Sequence, residues 1–158
     1  MRFSSVTTLV GNEIEGNFLK WTSSSVTGAD GCMYGIPYHA RHVGKFIPIG
    51  MSLPPIGQDL GVSIVVKWSR GVLPNNGSIY CVSADGPAQI LKIGTIRDTT
   101  AVRDVQGMPE PNMIGRRMPG ALALDGCIYF MPCNARRILK LDTENDSVCY
   151  VGDDFGPG

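Results

Sequence analysis

Apolar residues along this 158-residue chain fall in short clusters, each closed by Gly, Pro, Asn or Asp, and the clusters come back at a fixed interval. One cluster opens with a turn dipeptide and runs into a tyrosine. It reads Asp30-Gly31-Cys32-Met33-Tyr34, then Asn76-Gly77-Ser78-Ile79-Tyr80, then Asp125-Gly126-Cys127-Ile128-Tyr129, with the glycines 46 and 49 residues apart. A second landmark, Val10-Gly11-Asn12-Glu13-Ile14, returns as Ile56-Gly57-Gln58-Asp59-Leu60, in degenerate form at Val102-Arg103-Asp104, and as Val151-Gly152-Asp153-Asp154-Phe155. A third, Val43-Gly44-Lys45-Phe46, returns as Ile90-Leu91-Lys92-Ile93 and Ile138-Leu139-Lys140-Leu141. Three landmarks in one register make an internal repeat, and a period in the high forties is that of β-propeller blades.

Each repeat reads as four strands. The first covers about 23–26, 71–73 and 120–123 and ends at Asp-Gly or Asn-Gly, dipeptides that accept the positive φ of a tight hairpin turn. The second covers 32–36, 78–82 and 127–131. Its two faces are both largely apolar, with Tyr34, Tyr80 and Tyr129 on one side and Met33, Ile79 and Ile128 on the other, which suits a strand sandwiched between neighbouring sheets. Pro37 and Pro132 close two of the copies, because proline donates no ladder hydrogen bond. The third strand carries the Ile-Leu-Lys-Ile pattern and the fourth runs into the Val-Gly-Asp-Asp loop, with Thr143 to Asp146 as the turn between them in the last repeat. Pro54 and Pro55 sit where the first repeat needs its fourth strand, which a short edge strand tolerates.

The fold class that follows is all-β: three four-stranded antiparallel propeller-like blades plus a spare N-terminal strand at 4–10. The repeats divide the chain into about 11–56, 57–102 and 103–151, with 152–158 as the start of a next one. Closed propellers are built from four to eight blades. Three blades expose sheet edges and apolar faces at the two ends, so the chain is expected either to assemble with another copy or to be a segment of a longer array.

Composition agrees with many short elements, since there are twenty Gly and eleven Pro. Basic and acidic residues number 14 each, so nothing favours a nucleic-acid or acidic-membrane partner. The five cysteines, Cys32, Cys81, Cys127, Cys133 and Cys149, form no CxxC pair, and their odd number argues against a disulfide framework. They read as reduced, small apolar residues, which together with a weak N-terminal apolar stretch points to an intracellular soluble protein. No run approaches the length of a membrane span.

The blocks Asp125 to Tyr129, Pro132 to Asp142 and Val151 to Gly156 resemble the repeat of a poorly characterised group of algal and protist proteins in which segments of the type DG-I-Y-x-I-P-x-N-A-x-x-V-L-K-I-D recur. That repeat is in turn similar to those of the kelch, NHL and gluconolactonase-like propellers. The resemblance implies a propeller fold and leaves the function open, because such repeats serve enzymes, binders and scaffolds alike. The middle repeat departs from it, with Asp85-Gly86-Pro87 where the third has Asn134-Ala135.

Strand parity places the second-to-third and fourth-to-first loops on one face. Candidate ligand-binding residues there are His39, Arg41, Asp85, Asn134, Arg136, Asp153 and Asp154. Against that stand structural roles for five of them: Asx turns at Asp85 and Asn134, and surface ion pairs between Arg136 or Arg137 and Asp153 or Asp154. His39 and His42 are the only histidines and lie in one copy of the loop, so no metal site or cofactor is expected. Two function classes remain. One is a non-enzymatic propeller-type module for interaction or assembly, partnered by itself or another protein. The other is a gluconolactonase-like hydrolase with carboxylates around a divalent cation, which needs several acidic side chains aimed at one point.

Overall fold

A computed structural model of the chain describes residues 19–61, 66–84, 88–105, 120–131 and 136–156. Among these residues lie eleven strands and no helix. The first sheet is β1 (Trp21–Thr27), β2 (Met33–Pro37), β3 (Val43–Phe46) and β4 (Pro55–Ile56), each antiparallel to the one before. The second is β5 (Ser78–Val82), β6 (Gln89–Gly94) and β7 (Thr99–Asp104). The third is β8 (Gly120–Leu122), β9 (Ile128–Phe130), β10 (Ile138–Leu141) and β11 (Val148–Val151). Three blade-like meanders thus follow one another along the chain. The strand expected at 4–10 lies outside the described residues.

The first strand expected at 71–73 is reduced to two isolated bridges, Trp68 with Ser83 and Val72 with Tyr80. Gly71 supplies the reason. A Cβ there would lie 2.6 Å from Ile79 Cγ2, 3.1 Å from Val26 Cγ2 and 3.2 Å from Ile36 Cδ1. The backbone is pressed between two sheets at this point, an approach only glycine permits, and Pro74 follows before a ladder can form.

The hairpin turns form where the sequence places them. Gly31, Gly77 and Gly126 take φ of 78°, 76° and 79°. In each, the preceding Asx side chain accepts the N–H two residues on: Cys32 N to Asp30 at 3.1 Å, Ser78 N to Asn76 at 3.0 Å and Cys127 N to Asp125 at 3.1 Å.

The core follows the period-two alternation of the strands. Ile79, Cys81, Leu91 and Ile93 of the second sheet pack with Tyr34, Ile36 and Val43 of the first, and with Ile56 and Trp68. From its other side, Tyr80, Val82 and Ile90 pack with Ile128, Phe130, Leu139 and Leu141 of the third. Each fully buried Leu or Ile contributes on the order of 1.5–3 kcal/mol. The second sheet therefore feeds two cores and couples the three blades.

The sandwiched environment expected for all three copies of the second strand holds only in the middle. Tyr34, Ile36, Tyr80 and Val82 are buried, but Met131 is 54% exposed and Tyr129 only half-buried. Position, and not sequence, makes the difference: among the described residues no fourth sheet follows the third.

Candidate functional site

On the face where the sequence placed the ligand candidates, arginines and aspartates tie together the two loops at one end of a blade. Arg41 Nε donates to both Asp59 oxygens at 3.0 and 3.1 Å, the guanidinium NH2 group adds a close contact, Gly61 N–H reaches Asp59 at 2.8 Å, and Leu60 N–H reaches the Arg41 carbonyl at 2.7 Å. The third repeat copies this arrangement. Arg136 Nε donates to Asp154 at 2.7 Å, Gly156 N–H to the same oxygen at 2.8 Å, and Phe155 N–H to the Arg136 carbonyl at 2.8 Å. In the middle repeat Ala88 stands in the arginine's place, and Gln89 Nε2 binds Asp104 at 2.9 Å instead. The Asp59 carboxyl is held below its ordinary range by the Arg41 guanidinium and then the Gly61 N–H; Arg136 and then Gly156 do the same for Asp154.

The remaining candidates do not converge with these pairs. The His39 ring sits edge-on to the Tyr38 ring, 4.7 Å between centroids, and the His39 backbone N–H donates to the Leu19 and Lys20 carbonyls at 3.2 Å. Asp153 is exposed. Asp85 and Asn134 lie outside the described residues. Among the described residues no three His, Cys, Asp or Glu side chains gather as a metal site. Lys67, from the start of the second repeat, donates to the Ala40 carbonyl at 2.8 Å and to the Gly61 carbonyl, and burial pushes its pKa down. It ties the first repeat's loops to the second.

The opposite face carries an arrangement that the sequence reading did not anticipate, a polar latch at each junction between sheets. At the first junction the Tyr34 hydroxyl lies 2.9 Å from both the Asp30 carboxylate and the Thr95 carbonyl of the next sheet. Lys45 Nζ stands over the Tyr34 ring, 5.7 Å from its centroid, and bridges Asp30 at 2.9 Å and Asp98 of the next sheet at 2.6 Å. Burial opposes ionisation of Asp30, but Lys45, Tyr34 and the Cys32 N–H more than offset it and bring the carboxyl down to about 2. Lys45 is raised, chiefly by Asp30 and Asp98.

At the second junction Asn76 replaces the first aspartate. Its amide donates to the Tyr80 hydroxyl at 2.9 Å and to the Thr143 carbonyl at 2.7 Å, which leaves Tyr80 free to donate to Asp146 at 2.7 Å. Lys92 Nζ, 5.3 Å from the Tyr80 centroid, binds both Asp146 oxygens at 2.8 and 2.9 Å. Desolvation acts against both charges, yet each is kept ionised by the other: Lys92 is raised and Asp146 lowered. The turns that present the acceptors are alike. Asp98 and Asp146 take φ of 53° and 58°, and Thr95 and Thr143 bind the carbonyls of Gly77 and Gly126 at 2.7 and 2.8 Å.

The third repeat presents the first half of the latch alone. The Tyr129 hydroxyl donates to Asp125 at 2.7 Å, and Lys140 Nζ lies 5.6 Å from the Tyr129 centroid and 3.5 Å from Asp125. Beside the second junction an open groove of about 1300 Å³ is lined by Asn76, Ser78, Lys92, Leu122, Leu124 and Glu144. The signal for the latch was the in-register recurrence of Tyr and Lys. Its acceptor comes from a different repeat, 53 residues on for Lys45 and Asp98, and the landmarks do not reveal that pairing.

No protein-family model matches the chain, and no curated protein matches its sequence. Solved structures do share its fold. A catalytically inactive virginiamycin B lyase from Staphylococcus aureus, solved with quinupristin, superposes with a TM-score of 0.61 at 14% identity, over 82% of this chain and 40% of that one. A streptogramin B lyase gives 0.58 at 16% identity, over 83% and 41%. The extracellular domain of BT4673 from B. thetaiotaomicron gives 0.59 at 8% identity, over 87% and 18%. These are β-propeller-type folds, and the fold of this chain is of that type. The chain spans about two-fifths of the length of the two lyases.

Proposed function

We propose that the chain is a non-enzymatic β-propeller-type repeat module for protein interaction or assembly, built from repeats of the kelch and NHL kind. One observation carries the reading. The outward side of the third sheet bears the same tyrosine that its two predecessors bury against the next blade, here left half-buried with Lys140 beside its ring and Met131 exposed next to it. Apolar and charged groups prepared for a neighbour and not covered by one make an interaction surface. The loop face supports the same reading, because Asp59, Asp104 and Asp154 are bound one by one to groups of their own blades. A gluconolactonase-like hydrolase would need such carboxylates aimed together at one cation.

Sedimentation velocity on the purified chain tests this. The sedimentation coefficient is expected to rise with concentration across the micromolar range, as the unpaired sheet edges of separate copies associate. A concentration-independent monomer that unfolds cooperatively contradicts it.

A further inference from the structure

We propose that the outward side of the third sheet docks one further four-stranded blade whose third-to-fourth-strand turn carries Thr-x-x-Asp, and that the first blade of a second copy of this chain is not that partner. The inference rests on the assembly reading and specifies the partner's chemistry.

The template is the first junction. Asp30, Tyr34 and Lys45 there correspond to Asp125, Tyr129 and Lys140, and the first set is completed by the Thr95 carbonyl and the Asp98 carboxylate of the following blade. Lys45 binds two carboxylates, one from each blade. Lys140 has its own Asp125 at 3.5 Å, and the place of the second carboxylate faces outward with Met131 and half-buried Ile138. A blade arriving with an aspartate at that turn would complete a lysine bridge of the kind already made at Lys45, and charge-assisted bonds of this geometry are the strong ones.

The first blade of a second copy does not offer that turn. Its backbone agrees at one residue, Met51, whose φ of 51° matches the 53° and 58° of Asp98 and Asp146, and departs at the residue before, where Gly50 takes 92° and Arg97 and Asn145 are not left-handed. The side chains differ. Met51 brings no acceptor, and Pro48 stands where Thr95 and Thr143 tie their turns to a glycine carbonyl. The rest of that face is built as an end. Trp21 lies flat across Gly35 and Gly44, where a Cβ would come within 2.9 and 2.8 Å of its ring. The second sheet has the larger Cys81 and Leu91 at the equivalent places, packed into the core. Capping units of repeat proteins differ from internal ones in this way.

The test converts the first blade into a receiving blade. Pro48→Thr with Met51→Asp gives residues 48–52 the pattern of 95–99 and 143–147. Sedimentation equilibrium then compares the double variant with the wild type, and circular dichroism checks that each is folded. The double variant is expected to associate at least about tenfold more tightly than the wild type, a gain that charge-assisted bonds supply. Adding Lys140→Met is expected to cancel the gain, whereas Lys140→Met in the wild type leaves its association unchanged. Met51→Asp alone, at an exposed turn residue, carries the same expectation at smaller size. A variant no tighter than the wild type, or a gain that survives Lys140→Met, overturns the proposal and leaves the assembly reading standing. Wild-type association that collapses on Lys140→Met also overturns it, by making a second copy's first blade the occupant. A strictly monomeric wild type removes self-assembly instead.

Discussion

Tyr34→Ala and Tyr80→Ala are each expected to cost about 3–5 kcal/mol of unfolding free energy, in the range of large aromatic truncations in a core, while Tyr129→Ala costs a minor fraction of that. The three tyrosines share a strand position, a turn and a lysine. They differ in what lies beyond them. Tyr34 and Tyr80 are 0% and 1% exposed, and each reaches the next sheet through its hydroxyl. Removing either ring opens a void between two sheets and strands a lysine beside it. Tyr129 faces outward, and its hydroxyl partner Asp125 belongs to its own repeat. Urea titrations followed by circular dichroism measure the three costs. Three equal costs would show that the third tyrosine is also covered.

Asp146→Asn is expected to cost about 1–2 kcal/mol, from the loss of charge-assisted bonds to Lys92 and Tyr80. Asparagine is the informative replacement, because at φ of 58° it tolerates the left-handed backbone that alanine would strain. The loss thus reports the charge and not the turn. In a double-mutant cycle with Lys92→Met the two costs should fall well short of adding, since each change removes the same contact. Additive costs contradict the latch. The carboxylate is partly buried and its bonds cross between sheets, which sets it apart from the exposed Arg41–Asp59 and Arg136–Asp154 pairs, each of which joins two loops of one blade.

The sequence made the repeat legible because turn chemistry is local. An Asx-Gly pair sets its own backbone wherever it stands, so Gly31, Gly77 and Gly126 marked three hairpins without reference to anything distant. Period-two alternation likewise assigned each strand residue to a side, and the two cores divide along that assignment. What escaped depends on neighbours. Gly71 looks like an ordinary strand glycine until the first sheet is placed against it. Tyr129 and Met131 read as buried because their counterparts are, although nothing in a residue's identity says whether a sheet follows it. Of the loop candidates, Arg136 and Asp154 were readable as a pair, and Arg41 with Asp59 is its copy in the first repeat. The latch acceptor Asp146 looked like a turn residue and Asp98 carried no signal at all, since their role appears only when consecutive blades are stacked.

The central claim is a one-directional stack in which the tyrosines of the first two blades are covered by the next blade and, among the described residues, the third is left open. Nuclear Overhauser effects from the tyrosine rings test it most directly, read within single molecules by mixing labelled and unlabelled chains. The account predicts intramolecular contacts from the Tyr34 ring to Thr95 and from the Tyr80 ring to Asp146, and from the Tyr129 ring only to residues of its own blade, 120–151. Intramolecular contacts from Tyr129 to any residue outside that blade, or none from Tyr34 to Thr95, would contradict it.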